Sequence, residues 1–183
     1  MFRKFKTLTM PVLCLAAAGF LFGGQAAAQG GAKKAASGHG TFVVTSSDGE
    51  QARRQFSFSA MSTGDGTAKG NAVLHNPEFA GTNGRPYQLQ ISVTCMRVFG
   101  NIAIIAGVTK RTNDPSFPAG AAFVVQDNGE PGKGSDMLTQ VAFFDLDPSA
   151  APDFPCTESV LADLLGVSPL SPIDSGNIQV RGQ

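Results

Sequence analysis

The sequence predicts a mainly β domain: an antiparallel meander of about eight strands, closed or partly closed as a barrel, with one short helix near the C-terminus. Three observations predict it. Gln55–Met61 and Tyr87–Phe99 alternate apolar and polar residues with the period of two expected of a strand with one wet face. Turn residues, mostly glycine and asparagine, separate successive apolar runs. Only Thr157–Leu165 carries helical spacing. A two-sheet sandwich is the alternative way to pack the same strands.

The chain opens with a segment that lies outside this pattern. Arg3, Lys4 and Lys6 precede an apolar stretch of 15 residues from Leu8 to Phe22, and Gln25-Ala26-Ala27-Ala28 supplies a small-residue A-x-A site. That is the layout of a secretory signal cleaved after Ala28. The apolar stretch is shorter than the roughly 20 residues of a spanning helix, which argues against a retained anchor. Leu13 stands where a lipid anchor on Cys14 would need a small residue. Residues 1–28 are therefore expected to be removed, and the protein to work in the periplasm or outside the cell. Gln29–Gly38, small and polar, reads as a flexible tether to a single domain over residues 39–183.

The segment up to Ala28 holds three of the 14 basic residues and none of the 14 acidic ones, which leaves the remainder with a net charge of −3. Without basic runs, this chain has no electrostatic footprint for nucleic acid. No integral membrane segment is expected after cleavage. The remaining 155 residues, Gln29–Gln183, suffice for one domain with a core.

The elements follow in order. Thr41–Thr45 is β-branched and aromatic. In Gln55–Met61, Phe56, Phe58 and Ala60 share one face, with Gln55, Ser57 and Ser59 on the other. The Gly64-Asp65-Gly66 turn leads to a shorter strand, Lys69–His75, and Asn76–Arg85 reads as a loop. Tyr87–Phe99 sets Leu89, Ile91, Val93 and Cys95 on one face, and Gly100-Asn101 turns the chain into Ile102–Thr109. Because Ile102, Ile104 and Ile105 lie so close together, that strand is expected to be covered on both faces. A proline-rich loop over Asn113–Pro118 precedes Ala121–Gln126. Met137–Phe144 and Asn177–Arg181 complete the set. In the helix, Thr157 caps, Glu158 suits the first turn, and Leu161, Leu164 and Leu165 form an apolar face ended by Gly166.

Two cysteines remain after cleavage, Cys95 and Cys156. An even number in an exported chain points to a disulfide. Free thiols and a partial metal site are the alternatives, but no Cys-x-x-Cys or nearby histidine pair supports a metal.

The run Gln126-Asp127-Asn128-Gly129-Glu130-Pro131-Gly132, then Asp136, and the terminal Gly176-Asn177-Ile178-Gln179-Val180 resemble a family of uncharacterised secreted bacterial β-rich domains. Those domains carry a DNGEPG turn and a closing GNIQ strand. The resemblance spans roughly Gly38–Val180; the Asp145–Ser175 insertion, with Cys156 and the helix, departs from it. It implies the β fold and no particular activity.

Few residues could carry chemistry. Asp127, Asn128, Glu130 and Asp136 place three carboxylates and an amide oxygen in one glycine-rich turn, the oxygen-rich setting that Ca²⁺ takes in exported proteins. Their spacing is not that of an EF-hand, and Asx turns explain the same composition. No other cofactor is expected. Asp145 and Asp147 lie two apart, as paired carboxylates of a glycosidase could, but Pro148 and Pro152 follow at once. His39 and His75, the only histidines, fit no metal spacing, and G-x-S-x-G and S-x-x-K motifs are absent. No catalytic residue is assigned.

The favoured reading is a non-catalytic exported module, structural or binding, with a cell-envelope component or a small molecule as partner. The alternative is a barrel that carries a small apolar ligand, and a hydrolase stands third. The inward face discriminates between them. Phe56, Phe58, Leu89, Ile91 and Phe143 would fill an eight-stranded interior, whereas a carrier leaves part of it open. The intact mass of protein recovered from a secreting host should correspond to a chain starting at Gln29; a mass that includes Met1–Ala28 would contradict the cleaved signal.

Overall fold

The computed structural model describes residues 33–45, 49–63, 67–80, 83–113, 118–129, 136–145 and 156–182. The expected signal, the Gly64-Asp65-Gly66 turn, Glu130 and Asp147 lie outside these residues. Six long strands follow one another as antiparallel neighbours: β1 (Ala35–Thr45), β2 (Gln51–Ser62), β3 (Thr67–Ala80), β4 (Pro86–Phe99), β5 (Ile102–Thr112) and β6 (Gly120–Gln126). Two short strands, β7 (Met137–Leu138) and β8 (Ala142–Phe144), both pair with β6. After helix α1 (Glu158–Val167), β9 (Ser171–Pro172) pairs with β7 and β10 (Ser175–Arg181) returns to β1. The result is one ten-stranded meander sheet.

The alternation in β2 sets the inward face. Phe56, Phe58 and Ala60 are buried, while Gln55, Ser57 and Ser59 between them are exposed. The Phe58 ring meets Phe123 of β6 at 5.6 Å between centroids, although β3, β4 and β5 separate the two strands in the ladder. The sheet therefore rolls up on its apolar face. Phe42, Leu89, Ile91, Ile105, Val125 and Ile178 complete the enclosed core. The void beside Phe56 and Phe58 is about 10 Å³, so the middle of the barrel is filled.

β1 begins at Ala35, so Ala35–Gly38 belongs to a strand and not to the expected tether. The small residues have a packing reason. Gly38 pairs with Phe58 on one side and Ile178 on the other, and a Cβ there would lie 2.7 Å from the Phe58 ring. What composition presents as a flexible lead is the space that a phenylalanine needs.

Cys95 does not share the face of Leu89, Ile91 and Val93. Val93 pairs with Gly107 and Cys95 with Ala106, which leaves Thr94 as the extra residue of a β-bulge. The bulge shifts the phase of β4, so Met96 and Val98 point inward and Cys95 points out. Gly107 permits it, since a Cβ at that position would meet the Ser92 carbonyl oxygen at 2.1 Å. Facing outward, Cys95 forms a disulfide with Cys156, 61 residues away, at the start of α1. Closing a loop of this length constrains the unfolded chain by about 4 kcal/mol in the chain-entropy treatment.

β5 and β6 are covered on both faces, as their continuous apolar runs require. Ala103, Ile105, Phe123 and Val125 face the interior, whereas Ile104, Ala106, Ala122 and Val124 lie under Leu161 and Leu164 of α1. The Thr157 hydroxyl accepts the Val160 N–H at 3.3 Å and caps the helix. The helix passes through Gly166 to Val167, and Ser168 donates its N–H to the Leu164 carbonyl at 2.8 Å.

Two further boundaries differ from expectation. β3 extends into the expected loop as far as Ala80, and Pro77, which has no N–H to give, falls in a register irregularity between Asn76 and Ala80. The single strand expected over Met137–Phe144 is broken by Thr139. Its hydroxyl accepts the Val124 N–H at 2.9 Å while its own N–H bonds the Val124 carbonyl at 3.0 Å. The side chain thus takes a backbone place in the ladder.

Phe58→Ala should cost about 3–5 kcal/mol in denaturant unfolding, because the rolled sheet cannot collapse onto the vacated space. Ser57→Ala, on the wet face, should stay within about 0.5 kcal/mol. Similar losses at both positions would contradict the inward assignment of Phe58.

Candidate functional site

The polar loop after β6 lies at the seam of the barrel. Asp127 directly follows β6 and Asp136 directly precedes β7, with Gln126 paired to Met137 as the last rung between them. Asp136 is fully buried. Its Oδ2 accepts the Ile178 N–H of β10 at 2.7 Å, and its Oδ1 accepts the Asn128 N–H at 3.0 Å. Asp127 Oδ2 accepts the Val180 N–H at 2.9 Å, and its Oδ1 accepts the Gly129 N–H at 2.9 Å in an Asx turn. Asn101, in the β4–β5 turn, donates its side-chain amide to the Asp127 carbonyl at 2.8 Å and to Asn128 Oδ1 at 3.2 Å.

Three of the four oxygen-bearing residues expected in this turn therefore come together, and the fourth, Glu130, lies outside the described residues. The four carboxylate oxygens of Asp127 and Asp136 serve four backbone N–H groups. The two motifs that carry the sequence resemblance, around Asp127 and around Ile178, meet at this seam.

A second feature, not singled out in the sequence, opens at one end of the barrel. It is a cavity of about 200 Å³ lined by Arg54, Leu74, His75, Asn76, Phe79, Tyr87, Leu89, Val141 and Phe143. Arg54 has the inward phase of Phe56 and Phe58 and pairs with Phe42 on β1. One step past the Gln55–His75 pair, it is level with Asn76, which in turn pairs with Tyr87. A guanidinium, a carboxamide and a phenol thus converge from three adjacent strands on apolar walls. Phe79, half exposed, stands edge-on to Tyr87 with 6.3 Å between ring centroids.

Burial lowers the Arg54 pKa and the Tyr87 phenol pulls it the other way. The group stays protonated at any physiological pH. Its Nε is enclosed and has no hydrogen-bond partner among the described residues. Glu78, on the same stretch of β3, turns its Oε2 to the Arg53 N–H at 2.8 Å instead. Sequence parity could have found this site: Arg54 lies two residues before Phe56, and Tyr87 two before Leu89.

The remaining candidates are dispersed. His39 pairs with Ser57 and Asn177, and His75, which also borders the end cavity, pairs with Gln55 and Gln88; both are on the outward phase of their strands. Asp145 is exposed just after β8. Among the described residues, no group of three His, Cys, Asp or Glu side chains is placed to hold a metal ion. A shallow polar groove on the outer face contains Arg85, Gln88, Arg111 and Asn113. There the Asn113 amide is occupied in pinning the loop, donating to the Pro86 carbonyl at 2.8 Å and accepting the Gln88 N–H at 3.0 Å.

No protein-family model, curated protein or solved structure matches this chain.

Asp136→Asn keeps the shape of the side chain but replaces one acceptor with a donor facing a buried N–H. It should destabilise the protein by about 2–4 kcal/mol in denaturant unfolding. Asp127→Asn, at the wetter end of the seam, should cost less. Millimolar calcium should leave the wild-type melting temperature where matched magnesium leaves it; a calcium-specific rise lost in Asp136→Asn would show the turn to be a metal site.

Proposed function

We propose that the chain is an exported, non-catalytic binding module that holds a small, mostly apolar molecule in the cavity at the end of its barrel. The observation that carries this reading is the contrast within one interior. Around Phe56 and Phe58 the void is about 10 Å³, yet around Tyr87 it is about 200 Å³. A cavity of about 150 Å³ takes a benzene molecule, so the end cavity accommodates a body slightly larger than that. Apolar walls with a few converging polar groups are the usual make-up of a small-molecule site. The polar groups present, Arg54, Asn76 and Tyr87, suit binding and orientation.

Export is supported by the Cys95–Cys156 disulfide, a bond that persists in oxidising compartments. No helix among the described residues is long and apolar enough to cross a membrane. The expected signal over residues 1–28 completes the case.

Protein-observed NMR tests the binding reading. Small aromatic compounds should shift the signals of Leu74, Tyr87, Leu89 and Val141 together, and leave those of outward Gln88 and Gln90 in place. Leu89→Phe, which fills the cavity, should abolish the shifts. Shifts confined to the outer groove, or none with any compound of this size, would contradict the proposal.

A further inference from the structure

We infer that the molecule taken by the end cavity carries a carboxylate, and that Arg54 is the residue that binds it. The inference rests on the binding reading above and adds the charge of the ligand to it. Two observations and one physical cost lead there. Arg54 occupies an inward position where β2 otherwise places Phe56, Phe58 and Ala60. Arg54 is partly buried, and a guanidinium drawn part-way out of water among apolar walls is costly to leave without an anion. The Nε–H of Arg54 has no hydrogen-bond partner among the described residues, and the Arg54 side chain lines a cavity large enough for a ligand.

A carboxylate fits the donor geometry. The guanidinium offers parallel N–H groups that match the two oxygens of a carboxylate in a bidentate, charge-assisted pair. Asn76 and Tyr87 stand at the same level on β3 and β4 and can complete the ring of polar contacts around such a head group. The rest of the cavity wall, Leu74, Leu89, Val141 and Phe143, calls for an apolar body. A small aromatic acid or a medium-chain aliphatic acid combines the two. A strongly hydrated inorganic anion would satisfy Arg54 and leave those walls unfilled.

The test uses four probes on the whole exported protein: benzoate and octanoate, each against its neutral amide, benzamide and octanamide. Binding is followed by NMR through the Tyr87 and Leu89 signals and through the Arg54 Nε–H resonance. At least one acid should bind about tenfold or more tightly than its amide, as expected for a charge-assisted pair, and should move the Arg54 Nε–H downfield. Arg54→Met, which keeps the apolar stem, should erase the preference for the acid and leave amide binding within about twofold. Arg54→Lys should retain part of the preference, and melting curves establish that both variants are folded. Equal binding of acid and amide, or a preference that survives Arg54→Met, overturns the carboxylate assignment while the cavity remains a binding site. If no probe perturbs Tyr87 or Leu89, the binding reading and the carboxylate fall together.

Discussion

Ile178 and Val180 turn their N–H groups away from β1, toward the far edge of the rolled sheet, and there they meet side chains instead of another strand's carbonyls. Asp136 and Asp127 are the acceptors, one on each side of the β6–β7 connection. An uncovered strand edge is a row of unmet donors and a template for pairing with other chains. A carboxylate offers two acceptor oxygens, so each aspartate can take one donor from β10 and one from its own loop. The C-terminal segment thus lies in the seam. Its first part pairs with β7, where the Ile173 N–H bonds the Asp136 carbonyl at 3.0 Å, and its second part pairs with β1. The barrel is partly closed, without a continuous backbone ladder between β10 and β6. The inward position of Ile178, the room at Gly38 and the seat of Phe58 all depend on that seam.

The outer face is organised by a different device, the single extra residue at Thr94. One-residue register changes exchange the two faces of a strand. Here the change is confined to the end of β4, where it turns Cys95 outward to Cys156 and brings Met96 and Val98 into the core. A ten-residue helix is too short to persist alone, so α1 depends on this tether at its first turn and on Ile104 and Val124 beneath it. Helix and barrel therefore share β5 and β6 as a wall with two apolar sides.

Most strands were legible because their alternation records a single buried face. That is why Phe56, Phe58, Leu89 and Ile91 were placed correctly inside, and why the crowded isoleucines of β5 announced cover on both sides. The errors have equally local causes. Alternation cannot show a bulge, so it puts Cys95 on the wrong face. Composition cannot distinguish a strand that must be small from a flexible lead, so Ala35–Gly38 read as tether. The acidic turn stands out in the sequence, but its use depends on partners 42 and 53 residues away, which spacing does not reveal. Arg54 escapes notice in the sequence because, beside Arg53 at a strand start, it looks like ordinary solvated surface. Only its parity with Phe56 gives it away.

The barrel's middle is filled and its end open: aromatic packing holds the sheet rolled, and Arg54, Asn76 and Tyr87 line the space at its end. All of this requires that the seam behave as part of the fold and not as a frayed edge. Amide hydrogen exchange at Ile178 and Val180 measures that directly. Both amides should exchange only through global opening, with protection within about tenfold of the core amide of Val124. Exchange of Ile178 at the rate of a solvent-exposed strand edge, with Val124 still protected, would show that the carboxylates do not close the barrel.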